Sequence, residues 1–312
     1  LHGKTFLANG VSIDTRTLKT GDLFIALEGE NTDGHRFLAQ AQKAGAAAAL
    51  VSRVPQDAPE GLPLVVVHQV HIGLEDLGRA ARKRTHAAVI GITGSVGKTS
   101  AKEMLKLVLL PYGRVYATAG NLNNHLGLPI SLCNMPRDTE FGIFEMGMNH
   151  VGEIEYLSRL GEPHVGLITT VEAVHLEFFE SVEQIARAKS ELFVGMSENH
   201  PVILNADNPY FTLMSSLAAE HGLEVVGFGE AVNAQFRVLN TESNLQGTHV
   251  TYSSKGQPRQ FQMGSLGAHW PRLAVAILAV VDALVLPLEK AEAALAEFTE
   301  AAGRGQRVVL PW

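Results

Sequence analysis

The residues with the clearest chemistry lie in GITGSVGKTS (91–100). A glycine-rich turn between a strand and a helix can wrap phosphate oxygens with backbone N–H groups, and the helix N-terminus adds a positive dipole end. Gly94, Ser95, Val96, Gly97 and Ser100 would form the cradle. Lys98 would reach the β- and γ-phosphates, and the Thr99 hydroxyl would hold Mg²⁺. The strict spacing G-x-x-x-x-G-K-[ST] is not met, because Ile92 stands five residues before Gly97 and the glycines fall at 91, 94 and 97. The strand–turn–helix context still favours nucleotide phosphate over a glycine turn with a solvated lysine.

Further polar residues follow apolar runs, where an open parallel sheet binds its ligands. Glu145 ends FGIFE and offers a carboxylate to Mg²⁺, directly or through water; the bland reading is a solvated loop glutamate. His175 follows LITTVEAV, and taken alone it reads as an ordinary histidine as readily as a metal ligand. Lys189 shares a helical face with Ile185, Leu192, Phe193 and Met196. A lysine on an apolar stripe must snorkel, pair or be modified. GNLNNHLGLP carries Asn121, Asn123 and Asn124, which suit either a tight turn or a loop contacting substrate. Cys133, the single cysteine, reads as a packing residue and is compatible with a reducing compartment.

The elements that must position these residues follow an α/β pattern. Residues 1–86 read as a small α/β domain, with strands in VSIDTR, DLFIAL, AAAALVS and PLVVV and helices in GHRFLAQAQKAGA and LEDLGRAARKRTH. Residues 87–300 alternate apolar strands with helices, which predicts a mostly parallel, buried sheet. Within them, 234–263 reads as an antiparallel patch with a Lys255-Gly256 turn, followed by helices near 268–285 and 288–299. Residues 301–312 read as the start of a linker to a further domain.

Composition narrows the classes. The 312 residues are 46% hydrophobic and 18% charged, which excludes a disordered chain. The net charge of −7, with one dense basic run at Arg82, Lys83 and Arg84, argues against nucleic-acid binding. The run Leu273 to Leu286 carries Asp282 and is too short for a bilayer, so a buried helix is expected there.

The chain resembles the Mur ligase family, and within it the branch that joins D-alanyl-D-alanine to UDP-N-acetylmuramoyl-tripeptide. The matching segments are VSIDTRTLKTGDLFIALEGENTDGHRF, TGSVGKTS, GNLNNHLGLP, FEMGMNHVGEI, HLEFF, ARAKSE and NAD, in the family's order. The resemblance implies an N-terminal domain for the UDP-sugar, a central P-loop ATPase domain and a C-terminal domain lying beyond this sequence. It implies that ATP phosphorylates the peptide carboxylate and that an amine then attacks the acyl phosphate. A monomer in the bacterial cytoplasm is expected. Carried onto this sequence, it makes Lys98 the γ-phosphate ligand, Thr99 and Glu145 ligands to Mg²⁺, and His175 a ligand to a second Mg²⁺. Lys189 would be carbamylated, Ser12, Asp14, Thr15 and Arg16 would line the UDP site, and Arg304 would reach the γ-phosphate. The segment GAHWPRLAVA departs from the family's G-x-H-N-x-x-N-A, with Trp270 and Leu273 in place of two adenine-contacting asparagines. His269 and Trp270 are expected to bind ATP, with Trp270 stacking on adenine.

Three other readings compete. A sister ligase would add a different amino acid. A binding homologue would hold UDP-muramoyl-peptide or nucleotide without catalysis, and as written to Trp312 this chain is expected not to ligate on its own. A mechanical NTPase would leave Lys189 and the first 86 residues unexplained.

Overall fold

Leu23 and Ile25 face one side of a short strand and Phe24 the other, and Ala48 and Leu50 alternate with Ala49 and Val51 in the same way. This two-residue alternation builds a sheet buried on both faces. The computed structural model describes residues 5–29, 32–174, 177–244 and 247–299. They fall into two compact units, one of the described residues up to Thr85 with Ala119–Arg137, the other of His86–Thr118 with the described residues from Asp138 on.

In the first unit, β1 (Val11–Ser12), β2 (Leu23–Ile25), β3 (Ala48–Val51) and β4 (Leu64–Val66) form a parallel sheet in that order. Helix α1 (Leu38–Lys43), entered through a 3₁₀ turn at Gly34–Phe37, covers one face through Leu38 and Ala41. Helix α2 (Val70–Lys83) covers the other through Val70 and Leu74.

The second unit starts with β5 (Ala88–Thr93), α3 (Lys98–Leu109) and β6 (Val115–Ala117). The chain then enters the first unit, where α4 (Gly127–Asn134) packs Ile130 into the same cluster as α2. Residues 119–137 thus pack with the first unit, although the alternation of strands and helices had placed them in the central domain. The apolar face of α4 is what draws them there. Asn134 reinforces the docking, accepting from Val11 N at 2.8 Å and donating to Val11 O at 3.0 Å. Asn134→Ala is expected to lower the unfolding free energy by about 1–2 kcal/mol, because two main-chain groups of β1 lose their partners. Urea unfolding of the two forms measures the difference.

The remaining elements of the second unit are β7 (Phe141–Glu145), α5 (Glu153–Gly161), β8 (Val165–Ile168), α6 (Val182–Ser190), β9 (Pro201–Asn205), α7 (Phe211–Glu220) and β10 (Glu224–Gly229). β11 (Phe236–Asn244), β12 (Gly247–Ser254), β13 (Gln257–Met263), α8 (Trp270–Ala283) and α9 (Leu288–Ala294) complete it. The nine strands run in the order β13-β12-β11-β10-β9-β8-β5-β7-β6. Pairing is parallel from β6 to β11 and antiparallel from β11 to β13, as the periodicity predicts.

Strand order reverses at β5. The chain leaves it for β6 and β7 on one side and returns as β8 on the other. Such a switch point opens a ligand crevice at the carboxyl ends of the strands. Gly91 lies within β5 rather than in the turn that follows. A side chain there would run into Pro163 and Leu192, at 2.9 and 3.0 Å. Helix α8 is buried along most of its length, and Asp282 near its end pairs with Lys255 at 2.7 Å. Among the described residues, no helix is long and apolar enough to cross a membrane.

Candidate functional site

The phosphate loop joins β5 to α3 and is sewn to the end of β8. Thr169 Oγ1 donates to Val96 O at 2.6 Å, and Ser95 N donates to Thr170 O at 2.9 Å. Ser95 Oγ also donates to Glu172 O and accepts from Glu172 N, at 3.2 and 2.9 Å. Gly94 has φ 149°, and a Cβ there would lie 1.9 Å from Thr169 Oγ1. Only glycine lets the two segments approach this closely. Gly97, at φ 85°, starts α3.

Lys98 curls back over this loop. Its Nζ donates to Gly94 O at 2.6 Å and lies 3.5 Å from Ser95 O. Burial holds its pKa below the ordinary lysine value, with Glu145 pulling the other way. Glu145 is 4% exposed at the tip of β7, and its carboxylate accepts from Thr99 Oγ1 at 3.0 Å. In a Mg²⁺ octahedron with metal–oxygen distances of about 2.0–2.1 Å, adjacent ligands lie about 2.9 Å apart. The Thr99 and Glu145 oxygens therefore fit two neighbouring corners.

Lys189 lies on α6 and is 3% exposed. Ile185, Leu192 and Phe193 are fully buried with it, and the chain tightens to a 3₁₀ turn at Glu191–Gly195. Burial, reinforced by the charge on Lys98, pushes the Lys189 ammonium down to about 7. Among the described residues it has no hydrogen-bond or ion-pair partner. Snorkelling, which needs an exposed ammonium, is excluded by this burial. His175 and Arg304 lie outside the described residues.

Beside the loop, a cavity of about 210 Å³ is lined by Gly97, Thr170, Glu172, Asn205, Phe228, His269, Arg272 and Leu273, among others. His269, expected at the nucleotide, lines this cavity. Trp270 does not. It is 4% exposed and packs edge-on against Phe298 with ring centroids 5.2 Å apart, so it belongs to the core and offers no stacking face. The helical turn that sends Trp270 inward presents Arg272 and Leu273 to the cavity instead. Thr169, Thr170, Glu172 and Asn205 were not singled out from sequence. The signal for Thr169, Thr170 and Asn205 was the polar ending of two apolar runs, GLITT and VILN, whereas Glu172 lies outside both.

The other expected contacts belong to the first unit. Ser12 is buried and shapes the turn after β1, donating to Asp14 O at 2.9 Å. Arg16 grips the Asp14 carboxylate through Nε at 2.9 Å and Nη2 at 2.6 Å, holding that carboxyl down at about 2. Asp14, Thr15 and Arg16 line a cavity of about 580 Å³ together with Ile13, Leu27, Thr32 and Phe37. Asn124 caps the approach to α4, its Oδ1 accepting from Leu126 N and Gly127 N at 3.2 and 2.9 Å. Asn121 and Asn123 join in a turn, Asn123 N donating to Asn121 O at 2.8 Å. Cys133 is packed as expected, and burial pushes its thiol up to about 12.

One further group of metal-ligand type exists among the described residues, Glu28, Asp33 and His35. Arg53 already bridges Glu28 and Asp33 with its guanidinium. His35 Nδ1 is 2.7 Å from Asp33 Oδ1, and His35 Nε2 accepts from Ser52 N at 3.0 Å. These contacts make the cluster a structural tie.

A mostly parallel sheet with a phosphate loop at its switch point defines a nucleotide-binding α/β protein. The model for the Mur ligase middle domain matches residues 92–281, and that for the Mur ligase family catalytic domain matches residues 8–86. The chain belongs to the Mur ligase family. It is 34% identical over 299 residues to the UDP-N-acetylmuramoyl-tripeptide–D-alanyl-D-alanine ligase of Rickettsia prowazekii, covering 96% of this chain and 66% of that protein. The crystal structure of MurF from Acinetobacter baumannii matches with a TM-score of 0.85 at 31% identity, covering 94% of this chain and 63% of that one. MurF ligase from Thermotoga maritima, solved in complex with ADP, matches with a TM-score of 0.82 at 25% identity, covering 96% and 68%. The chain therefore spans less than two thirds of the Rickettsia and Acinetobacter proteins.

Proposed function

We propose that the protein is an ATP-dependent amide ligase of peptidoglycan synthesis, joining D-alanyl-D-alanine to UDP-N-acetylmuramoyl-tripeptide in the bacterial cytoplasm. The observation that carries the chemistry is the buried Lys189, near enough to Lys98 for its charge to act on it, in a unit that also brings Lys98, Thr99 and Glu145 together. A simple NTPase has no need of it. The substrates rest on the names of the relatives, and the UDP moiety is assigned to the cavity lined by Asp14, Thr15 and Arg16.

In this reading a carboxylate oxygen of the tripeptide attacks the γ-phosphorus of ATP as the bond to ADP breaks. The amine of the dipeptide then attacks the acyl carbon, phosphate leaves with the original carboxylate oxygen, and the amine proton passes to solvent. Phosphoryl transfer of this kind needs positioning and charge neutralisation more than covalent help. Lys98 turns from Gly94 O to the γ-phosphate, and the loop amides hold the remaining oxygens. Thr99 and Glu145 hold Mg²⁺, which when bound neutralises charge on the phosphates. Lys189 reacts as its neutral amine with CO₂, releasing a proton and becoming a carbamate that serves as an anionic ligand to a second Mg²⁺ with His175. Arg304 is assigned to the γ-phosphate.

Glu145→Ala is expected to leave the fold intact and remove Mg²⁺-dependent turnover. Titrating activity against Mg²⁺ checks this, and an unchanged dependence would take Glu145 out of the metal site. The reading as a whole is tested by phosphate release from ATP with UDP-muramoyl-tripeptide, with and without D-alanyl-D-alanine. Sustained release that requires the dipeptide is expected. Release indifferent to both substrates would contradict the ligase.

Leu273 favours a second reading, nucleotide holding without turnover. An apolar side chain in the base cavity lacks the hydrogen bonds that distinguish adenine. ADP binding to a protein that releases no phosphate under these conditions is the result that would select it.

A further inference from the structure

Lys102 is a buried lysine that the chemistry above does not use. It is 3% exposed and lies one turn after Lys98 on α3. Its Nζ donates to Thr118 O at 2.9 Å and lies 3.0 Å from Glu103 Oε1. Burying an ammonium is unfavourable, and an apolar residue of similar length would fill the same space without that penalty.

Its acceptor is a junction. Thr118 is 2% exposed and is the last residue of the second unit before the chain passes into 119–137. Its N–H donates to Ile143 O at 3.0 Å and extends the ladder beyond β6. Its hydroxyl donates to the same carbonyl at 3.3 Å and accepts from Glu145 N at 3.4 Å. The Glu145 carboxylate in turn accepts from Thr99, three residues before Lys102 on the same helix. The contacts close a ring that runs from α3 through Lys102, Thr118 and Glu145 to Thr99 and back to α3.

We propose that Lys102 is a positioning residue for the metal site, holding Thr118 so that Glu145 faces Thr99 at the spacing a divalent cation requires. The inference rests on the nucleotide-site reading above. Without the lysine, the Thr118 carbonyl loses its tie to α3. The Glu145 main chain then loses its fixed distance from the helix that carries Thr99. Metal ligands depend on such supporting contacts, whose loss weakens metal binding by about 10- to 100-fold.

The test uses the whole protein with ADP, and Mn²⁺ as a paramagnetic probe. Mn²⁺ affinity of the ADP complex is read by electron paramagnetic resonance, and ADP affinity without metal by calorimetry. Lys102→Met is expected to weaken Mn²⁺ binding about tenfold while metal-free ADP affinity stays within about twofold. Thr118→Val should do the same, and Thr118→Ser, which keeps the hydroxyl, should match the wild type. The double variant Lys102→Met/Thr118→Val should be no weaker than either single one, because both break one ring. Additive losses, Mn²⁺ affinity unchanged in both single variants, or ADP affinity falling in parallel would overturn the proposal. Should Lys102→Met not fold, the Thr118 pair carries the same test. A wild-type protein that binds neither ADP nor Mn²⁺ would instead overturn the site reading, and this inference with it.

Discussion

Lys189→Ala is expected to abolish turnover, by at least about 10³-fold in kcat, and added bicarbonate is expected to restore neither it nor Lys189→Arg. The magnitude is that of removing a group which stabilises transferring charge in a closed site. The reason for the pattern of rescue is protonation. Lys189 is held near pH 7 by burial and by the charge on Lys98. Above that pH it is a neutral amine able to take up CO₂. Alanine has no amine, and arginine stays charged throughout. Removing CO₂ from the wild-type protein should lower its activity, and bicarbonate should restore it, more completely at pH 8 than at pH 6. Near-normal turnover in Lys189→Ala would refute the carbamate.

The same depressed value bears on stability. An unfolded lysine keeps its proton up to about the ordinary 10.5, whereas the folded one loses it near 7. Between these values the unfolded state binds more protons, so stability rises with pH across that window and falls as pH drops towards 7. Lys189→Met should flatten this dependence, measured as the urea midpoint at pH 7 and pH 9.

Lys98→Met is expected to lower kcat by about 10³-fold with the fold retained. In the structure the ammonium bonds to Gly94 O, and in the proposed reaction the γ-phosphate would replace that carbonyl. Methionine keeps the stem and removes the charge. The loop amides and the α3 dipole remain, and ADP, which lacks the γ-phosphate, should bind with only a modest loss. Phosphate-release kinetics and ADP calorimetry on the same variant separate the two effects. An equal loss in both would place Lys98 in nucleotide binding alone.

The positions of the glycine loop and of Glu145 in the candidate site were legible because their signals are local: a glycine turn after an apolar run, and a carboxylate ending another. Lys189 was legible as an anomaly, a charge on an apolar stripe. Its depressed pKa was not, since that depends first on how completely the assembled fold buries it and then on Lys98 from a helix distant in sequence. Trp270 misled because its place in a segment says nothing about which way a helical turn faces. The core contact with Phe298 decides that. The GNLNN segment was read as either turn or contact loop, and Asn124 proves to cap the start of α4. That residues 119–137 pack with the first unit was not legible, because apolar periodicity records a buried face without naming its partner. The ring around Thr118 was invisible for the same reason. Its outermost members, Thr99 and Glu145, are 46 residues apart in sequence, and the ring closes only when β6, β7 and α3 are assembled.

The most direct test of the central claim follows one oxygen. UDP-muramoyl-tripeptide carrying ¹⁸O in its terminal carboxylate is incubated with ATP, Mg²⁺, D-alanyl-D-alanine and the whole protein, and the released phosphate is analysed by mass spectrometry. Attack of that carboxylate on the γ-phosphorus, followed by aminolysis at the acyl carbon, transfers one carboxylate oxygen to each phosphate released with product. Phosphate bearing the label in step with amide formation is the predicted result. Unlabelled phosphate would mean that ATP is cleaved without activating the peptide, and the ligase account would be wrong.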